Sequence, residues 1–282
     1  MAAPQSLTPV SPNSSTSPRQ PPAPAGRPLR AEIDLDAIAH NLGEIRRRVG
    51  NSQVLAVVKA NAYGHGAVPV ARACLEAGAS YLGVACVDEG VQLRRAGISA
   101  PILVLAYSAP WEAGVIVREK LTAALAGEEL AAALAQEART AGVTAPVHIE
   151  VDTGMARFGV RPEGVSRLAA FVSGLPELRL EGVYTHFAIA DEADKTFTRD
   201  QFQAFLRAVE PLPRPLLRHA ANSAAVADLP EMASFSLRVN FSAIRYSAQA
   251  MKSVKVLRLL SILPFSYQAR PISEPPRMCP MA

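Results

Sequence analysis

Short apolar runs alternate with stretches of helical spacing along most of the chain. Ile38, Leu42, Ile45 and Val49 recur at the spacing of one helix face, after Asp36 as a candidate N-cap and before Gly50 as a stop. A short strand-like run, 31–35, comes just before. Eight further runs read as strands: 54–58, 81–85, 102–105, 122–125, 147–151, 180–186, 216–220 and 235–239. Helical patterns separate most of them, clearest at 67–77, 87–95, 128–141, 164–173, 197–209 and 223–228. The strands show little polar alternation, as expected where both faces of a parallel sheet are covered. Eight such units over about 200 residues predict an α/β chain folded as a (β/α)8 TIM-type barrel. A doubly wound open sheet is the alternative. The helix ahead of the first barrel strand is expected to fill the ring position left empty after the eighth.

Composition bounds the rest. The 282 residues are 49% apolar and 19% charged, ample for a buried core. Residues 1–30 hold eight prolines, five serines and no acid, and read as a disordered leader. The prolines spoil the amphipathic helix of an organelle transit peptide, and no signal-peptide core is present. Residues 31–238 are expected to form the barrel, and 239–282 an aberrant tail rather than a folded domain. That tail carries six basic residues against one acid. Its +5 leaves −1 for residues 1–238 out of the net +4, which argues against a nucleic-acid binder. The longest uncharged apolar stretch, 96–111, has 16 residues and two prolines, too short and broken to span a bilayer. Cys74, Cys86 and Cys279 form no metal spacing. They predict reduced thiols and a cytoplasmic location, with Cys74 and Cys86 as small core residues. Trp111 reads as a packing aromatic.

In a barrel of this kind chemistry sits at the C-terminal ends of strands. Lys59 directly follows the first barrel strand, within Ala-Val-Val-Lys59-Ala-Asn-Ala-Tyr63-Gly-His-Gly. Desolvation at such a place favours the neutral, nucleophilic amine, suited to a Schiff base with a carbonyl cofactor. A snorkelling strand-end lysine is the plain alternative. Gly64-x-Gly66 is no dinucleotide fingerprint, because Pro69 stands where a third glycine belongs. Three more segments follow: Val151-Asp-Thr-Gly-Met-Ala-Arg157-Phe-Gly159, Thr185-His186-Phe-Ala188 and His219-Ala-Ala-Asn222-Ser223-Ala.

These four segments, in this order, resemble the motifs of the alanine racemase family, with the 56–66 segment similar to its pyridoxal phosphate attachment site. The resemblance covers roughly residues 31–238. It implies a barrel followed by a β-rich C-terminal domain, and racemisation of alanine on pyridoxal 5'-phosphate. Lys59 would hold the cofactor as an aldimine and act as base on one face of the substrate Cα. Tyr63 and Ser223 would bind the phosphate, with Asn222 beside them. Arg157 would meet the cofactor's phenolic oxygen and the substrate carboxylate, and His186 would join a hydrogen-bond chain ending on Arg238. Arg238 would face the pyridine nitrogen. A guanidinium only donates, so it keeps that nitrogen unprotonated and the ring a weaker electron sink. Amino-acid decarboxylases on related barrels carry a glycine-rich phosphate loop that has no counterpart here.

Two departures stand out. Many family members carry a lysine carbamate where this chain has Glu150, which is expected to pair with Arg157 in its place. Asn240 and Phe241 replace the family's glycine and isoleucine, and no β-rich domain is legible after them. The break reads as a change of frame. The family's second catalytic base, a tyrosine reaching across a homodimer, lies on that domain, so impaired racemisation is expected. The alternatives are a cofactor-binding barrel without turnover and a non-functional truncated product.

Overall fold

The computed structural model describes residues 33–213, 215–229, 231, 232 and 237–240. The expected leader 1–30 and the tail beyond Asn240, with Cys279, lie outside the described residues. All eight expected strands form: β1 Val54–Val57, β2 Tyr81–Val84, β3 Ile102–Val104, β4 Thr122–Leu125, β5 Ala145–Val151, β6 Leu178–Thr185, β7 Leu217–His219 and β8 Leu237–Asn240. β8 therefore ends two residues past the expected domain boundary at 238. Every ladder is parallel, and the order is β7-β6-β5-β4-β3-β2-β1-β8. The last strand returns to the first, with Leu55 beside Arg238 and Val57 beside Asn240.

Cross-sheet contacts show that this sheet is curled. The Tyr81 hydroxyl on β2 donates to Glu181 Oε2 on β6 at 2.9 Å. In a flat sheet those strands, four steps apart, would be about 19 Å from each other. The Tyr184 hydroxyl on β6 likewise reaches the Leu105 carbonyl beyond β3, at 3.2 Å. The molecule is a TIM-type barrel, not a doubly wound open sheet.

Strand alternation divides the apolar residues into two sets. Leu55, Val57, Tyr81, Leu103, Ala124 and Tyr184 pack together inside the barrel. Val54, Ala56, Val58, Leu82, Val104, Ile149 and Val183 belong to the larger layer shared with the helices. Helix α1 (Leu35–Val49) buries Ile38, Leu42, Ile45 and Val49 and stops at Gly50 with φ 60°. It packs against α3 (Ala67–Glu76) and α9 (Ser223–Asp228), and so fills the ring position after β8. Further helices are α4 Val87–Arg95, α5 Ala113–Arg118, α6 Glu128–Ala141, α7 Val165–Ser173 and α8 Thr196–Val209. The cap of α1 differs from expectation. Asp34, not Asp36, accepts the Ala37 N–H (2.9 Å), and Leu35 opens the helix where a strand run was expected. Two packing expectations also fail. Cys86 is exposed at the start of α4, and Trp111 is 86% exposed. Cys74 is buried, and burial pushes its thiol up to about 12.

A chain of buried and half-buried polar side chains crosses the barrel interior. Thr122 Oγ1 lies 2.7 Å from the Tyr81 hydroxyl, which donates to Glu181. Glu181 Oε2 faces His148 Nε2 at 3.7 Å, and His148 Nδ1 shares a proton with His219 Nε2 at 2.9 Å. His219 stacks on Tyr184 at 4.7 Å between ring centres. Between β5 and β6 the register skips Glu181, so that His148 pairs with Gly182 directly after Val147 pairs with Leu180. This one-residue bulge re-aims Glu181, and a Cβ on Gly182 would come within 2.6–2.8 Å of the His148 ring.

Gly182→Ala therefore overpacks the interior and should cost about 1–3 kcal/mol in a urea unfolding titration. The His148 ring, with help from the Tyr81 hydroxyl and Arg179, holds the Glu181 carboxyl below its ordinary range, against the opposing effect of burial. A carboxyl depressed in the folded state contributes stability above its unfolded value, and that contribution is lost as pH falls through the folded value. Between about pH 6 and pH 3 the urea midpoint of the parent should fall more steeply than that of Glu181→Gln. Parallel curves would contradict this coupling.

Candidate active site

Because all strands run the same way, their C-terminal ends share one mouth, and the residues singled out in the sequence fall there. Lys59 follows β1, Arg157 lies in the loop after β5, and His186 directly follows β6. Asn222 and Ser223 follow β7, and Arg238 sits on β8. Lys59 stands two residues past the end of β1, where it is half-buried.

Lys59 opens an unusual element. Residues Lys59–Tyr63 (α2) make one helical turn with φ of 51°, 54°, 52° and 57° at Ala60, Asn61, Ala62 and Tyr63. A left-handed turn costs about 1–2 kcal/mol per non-glycine residue, so it must be held from outside. The holds are visible. The Val58 N–H donates to Gly83 O on β2 (2.8 Å), and the Ala60 N–H donates to Glu89 Oε1 on α4 (2.7 Å). Asn61 Oδ1 accepts the Ala67 N–H (2.8 Å), and Gly64, with φ 88°, ends the turn. Tyr63 is left 39% exposed at the mouth.

The loop after β5 is shaped by Asp152, whose Oδ1 accepts the N–H groups of Gly154 (3.0 Å) and Ala156 (2.9 Å). The chain then returns to β5, where Val160 N donates to Glu150 O and Asp152 N to Val160 O. Gly159 makes this return possible. Its φ is 101°, and a Cβ would meet Asp152 N at 2.9 Å and Glu150 O at 3.0 Å. Arg157 stands exposed on this loop with its guanidinium 5.2 Å from the Phe158 ring centre.

The expected pairing of Glu150 with Arg157 is not what the structure brings together. Glu150 is a buried residue of β5 on the inward alternation, and its Oε2 accepts from the Tyr184 hydroxyl at 3.0 Å. Asn222 is committed to its helix, with Oδ1 capping the Ala225 N–H (3.0 Å) and Ser223 as the first residue of α9.

Sequence reasoning missed several residues that shape this mouth. Gln201 on α8 is buried; it accepts the Ala188 N–H (3.0 Å) and donates toward Thr153 (3.3 Å) and the His186 carbonyl (3.4 Å). Thr153 in turn bonds Thr185 at 2.7 Å. Lys195 binds Asp228 on α9 (2.7 Å) and the Ala190 carbonyl (2.8 Å), tying the loop after β6 to α9. Polar His148 and Glu150 at alternate positions of an otherwise apolar strand were the available signal for the interior chain. A cavity of about 530 Å³ opens on the β4–β5 side of the mouth, lined by Tyr107, Ala124, Glu128, Val160 and Arg167 among others. Among the described residues no helix is long and apolar enough to cross a membrane, and no metal-ligating cluster occurs.

Comparison with known proteins agrees with this arrangement. Residues 33–239 match the family described as alanine racemase, N-terminal domain. The chain is 49% identical over 209 residues to an alanine racemase of Symbiobacterium thermophilum, covering 73% of this chain and 55% of that protein. It is 49% identical over 211 residues to one of Desulforamulus reducens, covering 72% and 57%. Among solved structures, alanine racemase from Bacillus anthracis with bound L-Ala-P superposes with a TM-score of 0.71 at 36% identity, covering 80% of this chain and 59% of that one. The Clostridium difficile enzyme in complex with cycloserine gives 0.71 at 34% identity, covering 74% and 59%. The chain thus spans a little over half the length of the relatives it matches. By this match and by its barrel, the chain belongs to the alanine racemase family, corresponding to its N-terminal domain.

Proposed function

We propose that this chain is the cofactor-binding barrel of an alanine racemase that interconverts L-alanine and D-alanine with pyridoxal 5'-phosphate. The observation that carries the reading is Lys59, half-buried two residues past the C-terminal end of a strand paired on both edges, at the mouth of a parallel barrel. The donor set around that mouth fits the cofactor chemically: one amine for an aldehyde, hydroxyls for a phosphate and a planar cation for a carboxylate. When bound, pyridoxal phosphate supplies an electron sink that makes the substrate Cα–H acidic.

The chain's own residues then divide the work. Lys59 would hold the cofactor through its amine and would take up or return a proton on one face of Cα. Tyr63 and Ser223 would donate to the phosphate, and Asn222 fixes the start of α9 on which Ser223 stands. Arg157, exposed on its Asp152-organised loop, is free of ion pairs among the described residues and can swing to a carboxylate. His186 is held at the rim by Gln201, through the His186 carbonyl and the neighbouring Ala188 N–H. Arg238, whose guanidinium can only donate, would leave the ring nitrogen unprotonated. A homodimer and a cytoplasmic location belong to the same proposal.

A second reading is a cofactor-binding barrel without turnover, because racemisation needs an acid–base group on each face of Cα and Lys59 serves one of them. Incubation with L-alanine and pyridoxal phosphate, followed by resolution of the enantiomers, separates the two. D-alanine above the rate of free cofactor supports the racemase; cofactor binding with no D-alanine supports the second reading. In either case Lys59→Ala should abolish the visible absorbance of the protein-bound cofactor, and an unchanged spectrum would overturn the assignment.

A further inference from the structure

Glu89, on the first turn of α4, joins two parts of the barrel that no sequence motif connects. Its Oε2 accepts the N–H of Ala85 at 2.7 Å, and its Oε1 accepts the N–H of Ala60, also at 2.7 Å. The first bond resembles the reach of a glutamate at the third helical position back to the cap's own N–H, but goes one residue further, to Ala85 ahead of Cys86. The second is different in kind. It leaves the helix and binds a residue 29 positions away, next to Lys59.

That contact falls where the sheet can no longer hold the chain. The β1–β2 ladder ends at Val57 beside Gly83, and the Val58 N–H to Gly83 O bond is its last rung. Beyond it the backbone turns left-handed, through four consecutive residues at φ 51–57°. Lys59 lies between the Val58 N–H, fixed to β2, and the Ala60 N–H, fixed to Glu89. The carboxylate therefore takes over the pairing between the ends of β1 and β2, and both its bonds have the short length of charge-assisted ones.

We propose that Glu89 is a positioning residue for Lys59, setting where the lysine amine stands in the mouth by clamping the backbone on its C-terminal side. The inference rests on the reading of Lys59 as the residue that captures the cofactor. In that capture the amine nitrogen bonds the aldehyde carbon and one water leaves, so the rate depends on how well the amine is placed. A displacement of about 1 Å can slow such a step by up to about a hundredfold.

The test compares Glu89→Gln with the parent chain, both folded and below their melting temperatures. An amide at position 89 can accept only through its oxygen, so one of the two N–H bonds is lost. Capture of pyridoxal phosphate is followed by stopped-flow absorbance. The affinity for pyridoxamine phosphate, which has no aldehyde and cannot condense with Lys59, reports the integrity of the rest of the site. Amide hydrogen exchange at Ala60 and Ala85 reports the clamp itself. The expected result is capture slowed by about ten- to a hundredfold, faster exchange at Ala60 or Ala85, and unchanged pyridoxamine phosphate affinity. If capture is unchanged, or if capture and pyridoxamine phosphate affinity fall together, the proposal is overturned. Should the glutamine variant not fold, Glu89→Asp, whose shorter arm cannot span both N–H groups, gives the same contrast, and the same outcomes support or overturn the proposal. A parent chain that captures no aldehyde at Lys59 would instead overturn the cofactor reading, and the proposal with it.

Discussion

The position of β1 between β2 and β8 is the constraint on which the rest depends. A strand paired on both edges and covered on both faces has nowhere to move, and Val54–Val57 is buried at every position. Its C-terminal end is thus a firmly placed point of the mouth, and Lys59 follows two residues beyond it. The same pairing seats β8 beside β1, which brings Arg238 and Asn240 to strand positions level with Leu55 and Val57. Helix α1 supports this arrangement from outside by packing on α3 and α9, closing the ring where the chain would otherwise leave a gap.

The barrel interior adds a second layer of order. Buried polar groups are costly unless paired, and this barrel pairs them with one another across its width. Tyr81, Thr122, Glu181, His148 and His219 link β2, β4, β5, β6 and β7 in one chain, and Tyr184 continues it to Glu150. Such cross-barrel bonds specify how the sheet closes, which apolar side chains alone do less sharply. Glu150 belongs to this chain, its carboxylate accepting from the Tyr184 hydroxyl, whereas the sequence suggested a pairing with Arg157.

The sheet was legible in the sequence because strands covered on both faces leave uninterrupted apolar runs, and all eight were placed within two residues at most ends. What was not legible has physical reasons. Asp34 and Asp36 are equally good caps by residue type, and only the geometry of the Ala37 N–H decides for Asp34. Helix α5, Ala-Gly-Val-Ile-Val-Arg, carries strand-like residues and is made helical by its surroundings. The left-handed turn at Ala60–Tyr63 has no glycine within it to announce it. The Glu89 carboxylate, the Asn61 side chain bonded to the Ala67 N–H, and the last rung to β2 impose it instead. The bulge at Glu181 arises from a register that no single strand encodes. Among the site residues, the sequence placed Lys59, Arg157, His186, Asn222, Ser223 and Arg238 at strand ends, but could not show that Asn222 is a cap or that Gln201 and Lys195 brace the rim.

The central claim is that one particular amine, and not merely an accessible lysine, receives the cofactor. Borohydride reduction of the protein loaded with pyridoxal phosphate, followed by proteolysis and mass spectrometry, tests it most directly. The account predicts the pyridoxyl mass on the peptide containing Lys59 at close to one per chain. Label on Lys120 or Lys195, or spread among several lysines, would contradict it.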